Sequence, residues 1–139
     1  MKMKFTLYTA DCSGNEQNCR YPMEVHVDSA ESLSAAAAKD HVCASFKDSH
    51  RSVAAFQACD VIMLDCDNDH SDDPAAWVTP EQFAGMVPEV AFAAMPSRHD
   101  SQEKDGRSAR PRWHAYFPVG IILDAQKCRT LKAAVQARF

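Results

Sequence analysis

The sequence lacks any long apolar run, which argues against a membrane-spanning helix. Its uninterrupted apolar stretches are a few residues long, whereas a transmembrane helix needs roughly 20 apolar residues. The N-terminal residues Met-Lys-Met-Lys-Phe-Thr-Leu-Tyr also lack the apolar core of a signal peptide and predict a strand instead. No membrane partner and a cytoplasmic location are therefore expected.

The six cysteines include no Cys-x-x-Cys pair, the commonest spacing in a structural zinc site. Cys12 and Cys19 share a polar segment and could join His26 at a metal, but their spacing does not favour it. The other four fall in or beside predicted helices and strands, where a free cysteine behaves as a small core residue. We therefore predict free thiols rather than disulfides, as a reducing cytosol favours.

The chain also lacks the excess of positive charge that nucleic-acid-binding modules often carry. Its 15 Lys and Arg residues stand against 19 Asp and Glu residues, which gives a net charge of −4. Many of the basic residues are concentrated in residues 98–112 and 127–138. An acidic centre with basic surroundings suits a metal site that handles a polyanion, although scattered surface charge is the ordinary interpretation.

What the sequence does contain is an acidic run at the end of its most apolar segment. Residues 61–64, Val-Ile-Met-Leu, predict a strand that is buried on both faces. Asp65 and Asp67 follow it two residues apart, so they are expected on one face of the strand end. Asp60 is expected to precede the strand. The remaining acids are expected in a solvated loop: Asp69, Asp72 and Asp73.

Two carboxylates on one strand face predict a site for divalent metal. Carboxylates leaving a sheet into low dielectric are costly unless a cation is present, and Mg²⁺ or Mn²⁺ prefers oxygen ligands. Two such ions activate an attacking hydroxyl and stabilise the leaving oxygen in phosphoryl transfer. A solvated acidic loop is the plain alternative. A calcium-binding EF-hand loop is excluded, because His70 and Ala76 stand where that loop requires Gly and Glu.

A second candidate site lies in the segment Arg-Pro-Arg-Trp-His-Ala-Tyr-Phe-Pro at residues 110–118. Arg112, His114 and Tyr116 alternate, which predicts that they share one face of a strand. Arg and His side chains on one face can bind phosphate oxygens. The plain alternative is the exposed face of an edge strand.

The remaining patterns predict an α+β domain with a mainly antiparallel sheet and helices packed on it. Strands are predicted at residues 4–8, 23–27, 61–64, 89–95 and 113–119. Helices are predicted from the capping pattern at Asp28 to Ala44, from Thr79 to Met86, and from Ala125 to Phe139 after an N-cap at Asp124. Residues 99–109 are predicted to be a long loop, which is typical of functional or mobile segments.

Taken jointly, these motifs resemble the archaeo-eukaryotic primase superfamily, and most of all the primase-polymerase domains of phages and mobile elements. The resemblance runs from about Tyr8 to Phe139. Four segments carry it: Leu-Asp-Cys-Asp-Asn-Asp-His-Ser at 64–71, Trp-x-Thr-Pro-Glu at 77–81, Pro-Ser-Arg at 96–98, and Pro-Arg-x-His-x-Tyr-Phe-Pro at 111–118. The joint pattern is more specific than any one of its parts.

The resemblance implies an RRM-like primase palm and a template-directed nucleotidyltransferase, a DNA primase or polymerase that uses two metal ions. The implied metal ligands are Asp65 and Asp67, with Mg²⁺ or Mn²⁺ as the cofactor. The implied catalytic residues are Asp65, Asp67 and His114. The implied nucleotide-binding residues are Ser97, Arg98, Arg112 and His114, which would surround the triphosphate.

The resemblance also implies which molecules the protein binds and that the chain belongs to a longer protein. The expected partners are a single-stranded DNA template, a ribo- or deoxyribonucleoside triphosphate, and a helicase domain or protein. The family's third motif, an acid on a later strand, has no match before Phe139, because Asp124 is expected to cap a helix. Residues 1–139 are therefore expected to be a single catalytic domain and the N-terminal part of a longer protein.

Two other functions stay open from the sequence. A non-catalytic module could bind single-stranded DNA, with Trp113 and Tyr116 stacking on bases and the basic loop contacting phosphates, or it could bind a replisome partner. A metal-dependent nuclease would use the same acids as the nucleotidyltransferase.

Overall fold

The computed structural model describes residues 3–138, so Met1, Lys2 and the predicted helix end at Phe139 lie outside the described residues. The strands within residues 3–138 are β1 Phe5–Thr9, β2 Met23–Val27, β3 His41–Val42, β4 Ala44–Phe46, β5 Phe56–Cys66, β6 Ala93–Pro96 and β7 Trp113–Ile122. The α-helices of the same range are α1 Ala30–Ala37, α2 Pro80–Met86 and α3 Ala125–Arg138. In this described part of the chain, no helix has the length and apolar character needed to cross a membrane.

The strands form two antiparallel sheets, which confirms the predicted α+β class. One sheet has the order β2-β1-β3, and the other has the order β4-β5-β7-β6. Because β7 lies between β5 and β6, it is an interior strand and not the edge strand of the plain alternative. Strand β7 pairs antiparallel with β6, with Met95 opposite His114 and Pro96 opposite Trp113. The sheet therefore places the acid-bearing strand directly beside the strand that carries His114.

The chain divides into two compact units. The central unit is Met63–Phe117, and the terminal unit consists of the residues up to Ile62 together with those from Pro118 onward. Strands β5 and β7 each contribute residues to both units. The prediction of one catalytic domain that belongs to a longer protein stays a prediction.

The terminal unit has a core formed by β1, β2 and α1. Phe5 and Leu7 alternate inward along β1, and Leu33 and Ala36 bring the apolar side of α1 into the same unit. These side chains are almost completely buried, and burial of apolar surface is the main stabilising contribution.

The cysteines within residues 3–138 are free thiols, as predicted. In the terminal unit, the Sγ atoms of Cys59 and Cys128 lie 3.2 Å apart. Burial, followed by the hydrogen bond with Cys128, raises the pKa of Cys59 to about 12. Cys12 lies near Asp40 and Cys19 near His50, which are different partners from the His26 of the zinc hypothesis.

The central unit is held by an aromatic cluster. Phe83 of α2 packs against Phe92, Trp113 and Phe117, with ring centroids 5.0, 5.6 and 6.2 Å from its own. Such edge-on aromatic pairs add to the free energy gained from burial alone. The start of α2 confirms its predicted cap, because the Thr79 side chain accepts a hydrogen bond from the Gln82 backbone N–H. This cluster anchors the first part of β7 behind the candidate site.

The predicted bounds of four elements were wrong. Helix α1 ends at Ala37 rather than Ala44, because residues 41–46 pair as strands β3 and β4 instead of continuing the alanine-rich helix. Its capping box joins Ser29 to Ser32, not Asp28 to Glu31. Strand β5 begins at Phe56, so Asp60 lies inside it and accepts a hydrogen bond from the Thr6 N–H. Strand β6 is limited to Ala93–Pro96, and β7 continues to Ile122.

Candidate functional site

The central unit brings together the two motifs that the sequence presents separately. Asp65 is the last residue but one of β5, and His114 is the second residue of the neighbouring strand β7. The Nε2 atom of His114 lies 2.8 Å from Oδ1 of Asp65, which is hydrogen-bonding distance. The side chain of Asp65 is 63% exposed and that of His114 is 23% exposed, so solvent and a ligand can reach this pair.

The second predicted metal acid, Asp67, follows β5 and faces a cation. Its Oδ2 atom lies 3.7 Å from Nζ of Lys104, and its side chain is 31% exposed. The carboxylate oxygens of Asp65 and Asp67 are the donors that Mg²⁺ and Mn²⁺ prefer, so the donor chemistry of the pair fits such an ion. Among residues 3–138, no three His, Cys, Asp or Glu side chains are grouped so that they could hold a metal. The metal prediction therefore rests on these two acids.

Asp69 has a structural role that the sequence did not predict. Instead of lying in a solvated loop, its carboxylate lies 2.8 Å from Arg112, 3.2 Å from Arg107 and 3.8 Å from Arg110. The hydrogen bond from Arg112 and the charges of the three guanidinium groups lower the pKa of Asp69 below its ordinary value of 3.8. Asp69 thus neutralises arginines and is not a candidate metal ligand.

The ion pairs of Asp69 predict a pH-dependent loss of stability. At neutral pH, Asp69→Asn is expected to lower the free energy of unfolding by about 1.5 kcal/mol, the value of a hydrogen bond to a charged group. Because the folded-state pKa is lowered, this difference is fully present above pH 3.8 and shrinks as the pH falls through the folded-state value. Urea unfolding of both proteins at several pH values measures it. A difference that grew toward acidic pH would contradict this role.

Arg112 is completely buried, which was not expected of a residue predicted to bind nucleotide. Its Nη1 atom donates hydrogen bonds to the Asp67 carbonyl oxygen at 3.1 Å and to Asp69 at 2.8 Å. Its Nε and Nη2 atoms are buried and have no hydrogen-bond partner among residues 3–138. A buried donor without an acceptor is costly, so a buried water at these nitrogens would be stabilising.

Comparison of the chain with known protein families, curated proteins and solved structures found no match. The resemblance to the primase superfamily stays a prediction from the four sequence motifs.

Arg110 is a second buried arginine, although its position in the sequence indicates only a member of a basic cluster. It donates hydrogen bonds to the carbonyl oxygens of Asn68 and Ser71 at 3.0 and 2.9 Å, and to Asp72 at 2.7 Å. Its guanidinium carbon lies 5.2 Å from the ring centroid of Trp77, which gives a cation–π contact. No local pattern reveals this role, because the partners lie about forty residues away in the chain.

Asn68 fixes the course of the acidic segment after β5. It adopts a positive φ of 56°, and its buried side chain bonds to the backbone of Val78 and to the carbonyl oxygen of Pro111. Asn is one of the few residues that tolerate this conformation, so an Asn two residues after the end of a strand is a usable turn signal. The position of Asp67 thus depends on a residue that was not predicted.

Ser97 and Arg98, expected on the strand that pairs with β7, directly follow that strand, because β6 ends at Pro96. The Ser97 N–H donates a hydrogen bond to the Arg112 carbonyl oxygen at 2.9 Å, and Arg98 is exposed. The predicted stacking of bases on Trp113 and Tyr116 is not supported, because these side chains are 2% and 0% exposed. Their burial removes the aromatic part of the single-strand-binding hypothesis.

Proposed function

We propose that this chain carries the metal and nucleotide site of a template-directed nucleotidyltransferase of the primase-polymerase type, with the sheet β4-β5-β7-β6 as its palm. The observation that carries the proposal is the 2.8 Å contact between Asp65 and His114. Two short motifs almost fifty residues apart meet at one accessible place on neighbouring strands, as a common role in one site requires.

The roles of the residues follow from their chemistry and exposure. Asp65 and Asp67 would hold Mg²⁺ or Mn²⁺, which lowers the barrier to attack of a 3′-hydroxyl and neutralises the departing pyrophosphate. His114, oriented by Asp65, would donate a hydrogen bond to a triphosphate oxygen. Arg98 is exposed beside the same strands and would meet the phosphates from the solvent side. Ser97 completes the proposed nucleotide-binding set, whereas the buried Arg112 would act through its hydrogen bonds to Asp67 and Asp69 and not by touching the nucleotide.

Binding of a deoxynucleoside triphosphate in the presence of Mn²⁺ tests the proposal through His114. We expect His114→Ala to weaken this binding about tenfold or more, because a hydrogen bond to a charged phosphate contributes roughly 1.5–3 kcal/mol. Titration calorimetry measures the affinity. The control is His26→Ala, which removes an exposed histidine of the terminal unit and is expected to bind nucleotide normally.

The same preparation separates the proposal from its alternatives. Unaltered nucleotide affinity in His114→Ala would remove the triphosphate role of this residue. Tight binding of single-stranded DNA without metal, with no affinity for nucleotide, would favour a non-catalytic module or partner-binding domain. Cleavage of DNA with Mg²⁺ alone, without any nucleotide, would favour a metal-dependent nuclease.

A further inference from the structure

The loop between β6 and β7 contains a tight hairpin whose tip presents two cations to the acidic segment. The hairpin tip is defined here as Lys104–Arg107. The Lys104 N–H bonds to the Arg107 carbonyl oxygen at 3.2 Å, and the Arg107 N–H bonds to the Lys104 carbonyl oxygen at 2.9 Å. Asp105 and Gly106 between them have φ values of 51° and 77°. Positive φ at both central residues is typical of a type I′ turn, for which Asp-Gly is a preferred sequence.

The turn directs both of its flanking side chains at acids of the site. Nζ of Lys104 lies 3.7 Å from Asp67, and Nη1 of Arg107 lies 3.2 Å from Asp69. In the described structure, a predicted metal ligand is thus paired with a side chain of the chain itself. A metal ion bound to Asp67 would compete with the Lys104 side chain for the same negative charge.

The tip is held much less firmly than the rest of the loop. Lys104 and Arg107 are 33% and 49% exposed, and ion pairs in contact with water are weak and screened by salt. The base of the loop is fixed by buried groups, since Asp100 accepts a hydrogen bond from the Arg112 N–H and Ser101 donates one to the Arg110 carbonyl oxygen. The tip can therefore leave the acids while its base stays in place.

We propose that the hairpin tip is a cationic lid. Without metal, Lys104 pairs with Asp67 and Arg107 pairs with Asp69. When a metal-bound nucleoside triphosphate is present, both side chains bind its phosphates instead. The inference rests on the proposed function. A divalent ion at Asp67 takes over the charge that Lys104 neutralises, so the ion pair is lost. Lys104 is released directly, and Arg107 moves away from Asp69 with it because the two residues are the ends of one tight turn. Both cations then face a ligand whose phosphates carry several negative charges, and Lys and Arg bind such groups well.

If the tip is a lid, removing its two cations should change the affinities for Mn²⁺ and for nucleoside triphosphate in opposite directions. Lys104→Gln combined with Arg107→Gln removes the competitor and is expected to raise Mn²⁺ affinity about threefold or more. The same protein is expected to bind nucleoside triphosphate with Mn²⁺ about tenfold more weakly, because two phosphate contacts are lost. The control is Lys132→Gln together with Arg129→Gln, which removes the same charge from exposed positions of α3 and is expected to change neither affinity.

Limited trypsin digestion of the unmodified protein tests the lid without any substitution, since trypsin cleaves after Lys104 and Arg107. We expect Mn²⁺ to speed cleavage at these two sites and added nucleoside triphosphate to slow it again, with cleavage after Arg51 as the internal reference. Mass spectrometry of the fragments measures both.

The outcomes separate the lid from the proposed function. If the protein binds Mn²⁺ at Asp65 and Asp67 while the Gln variants and the cleavage rates stay unchanged, the lid is wrong and the proposed function stands. If the protein binds neither Mn²⁺ nor nucleotide, both are wrong. Equal signs of the two affinity changes would also overturn the lid, because a loss of both affinities indicates damage to the fold. Opposite signs with unchanged cleavage rates would reflect the removed charge alone and would overturn the lid too.

Discussion

Arg110→Met is expected to lower the free energy of unfolding by about 3 kcal/mol, within the range seen when one partner of a buried polar network is removed. The Arg110 side chain is fully buried and bonds to the carbonyl oxygens of Asn68 and Ser71, both of which lose a partner in the variant. Methionine retains an apolar stem of similar length, so the loss reports mainly on the hydrogen bonds. Asp72 contributes less, because it is 87% exposed and regains water.

Urea unfolding at neutral pH measures this effect. The matched control is Arg98→Met, which removes the same charge at an exposed position of the same unit and is expected to change stability by no more than about 0.5 kcal/mol. A loss of less than about 1 kcal/mol for Arg110→Met would show that the buried arginine does not hold the acidic segment in place.

Asp65→Asn combined with Asp67→Asn is expected to weaken Mn²⁺ binding about a hundredfold or more, equivalent to roughly 2.7 kcal/mol. Asparagine keeps the size and one oxygen of each side chain but removes both negative charges, which supply most of the attraction for a divalent ion. Calorimetric titration with Mn²⁺ gives the affinity of each protein.

The control for this pair removes the same charge from the same segment. Asp72 and Asp73 lie in the loop after β5, where Asp72 contacts Arg110 and Asp73 caps a short turn by accepting the Ala75 N–H. Their replacement by Asn is expected to change Mn²⁺ affinity less than about threefold, as expected for charges that are not ligands. Equal losses in both double variants would indicate a diffuse attraction of cations to the acidic run, not a site.

The sequence predicted the elements that have strong local signals. The apolar residues 61–64 identified the buried part of β5, and Thr79 with Pro80 and Gln82 identified the start of α2. The strands β3 and β4 were missed because residues 41–44 continue an alanine-rich run and residues 45–46 begin a polar segment, and only pairing with β1 and β5 makes them strands. Local propensity is a weak guide where tertiary pairing decides the conformation.

The acidic run illustrates which part of a site a sequence can predict. Spacing alone placed Asp65 and Asp67 at a strand end, but it gave no partner for any acid. In the structure Asp65 contacts His114, Asp67 contacts Lys104, and Asp69 is surrounded by three arginines. All of these partners lie about forty to fifty residues away in the chain, so no sequence period connects them with the acids. The Asp105–Gly106 turn was the one signal in that loop that could have been found.

The most direct test of the account is the position of bound Mn²⁺, measured by paramagnetic broadening of assigned amide resonances at substoichiometric metal. We expect broadening to begin at residues around Asp65, Asp67 and His114 and to disappear when Asp65→Asn is combined with Asp67→Asn. Broadening centred on other acids, such as Asp11 and Asp40, or the same pattern in the double variant, would contradict it.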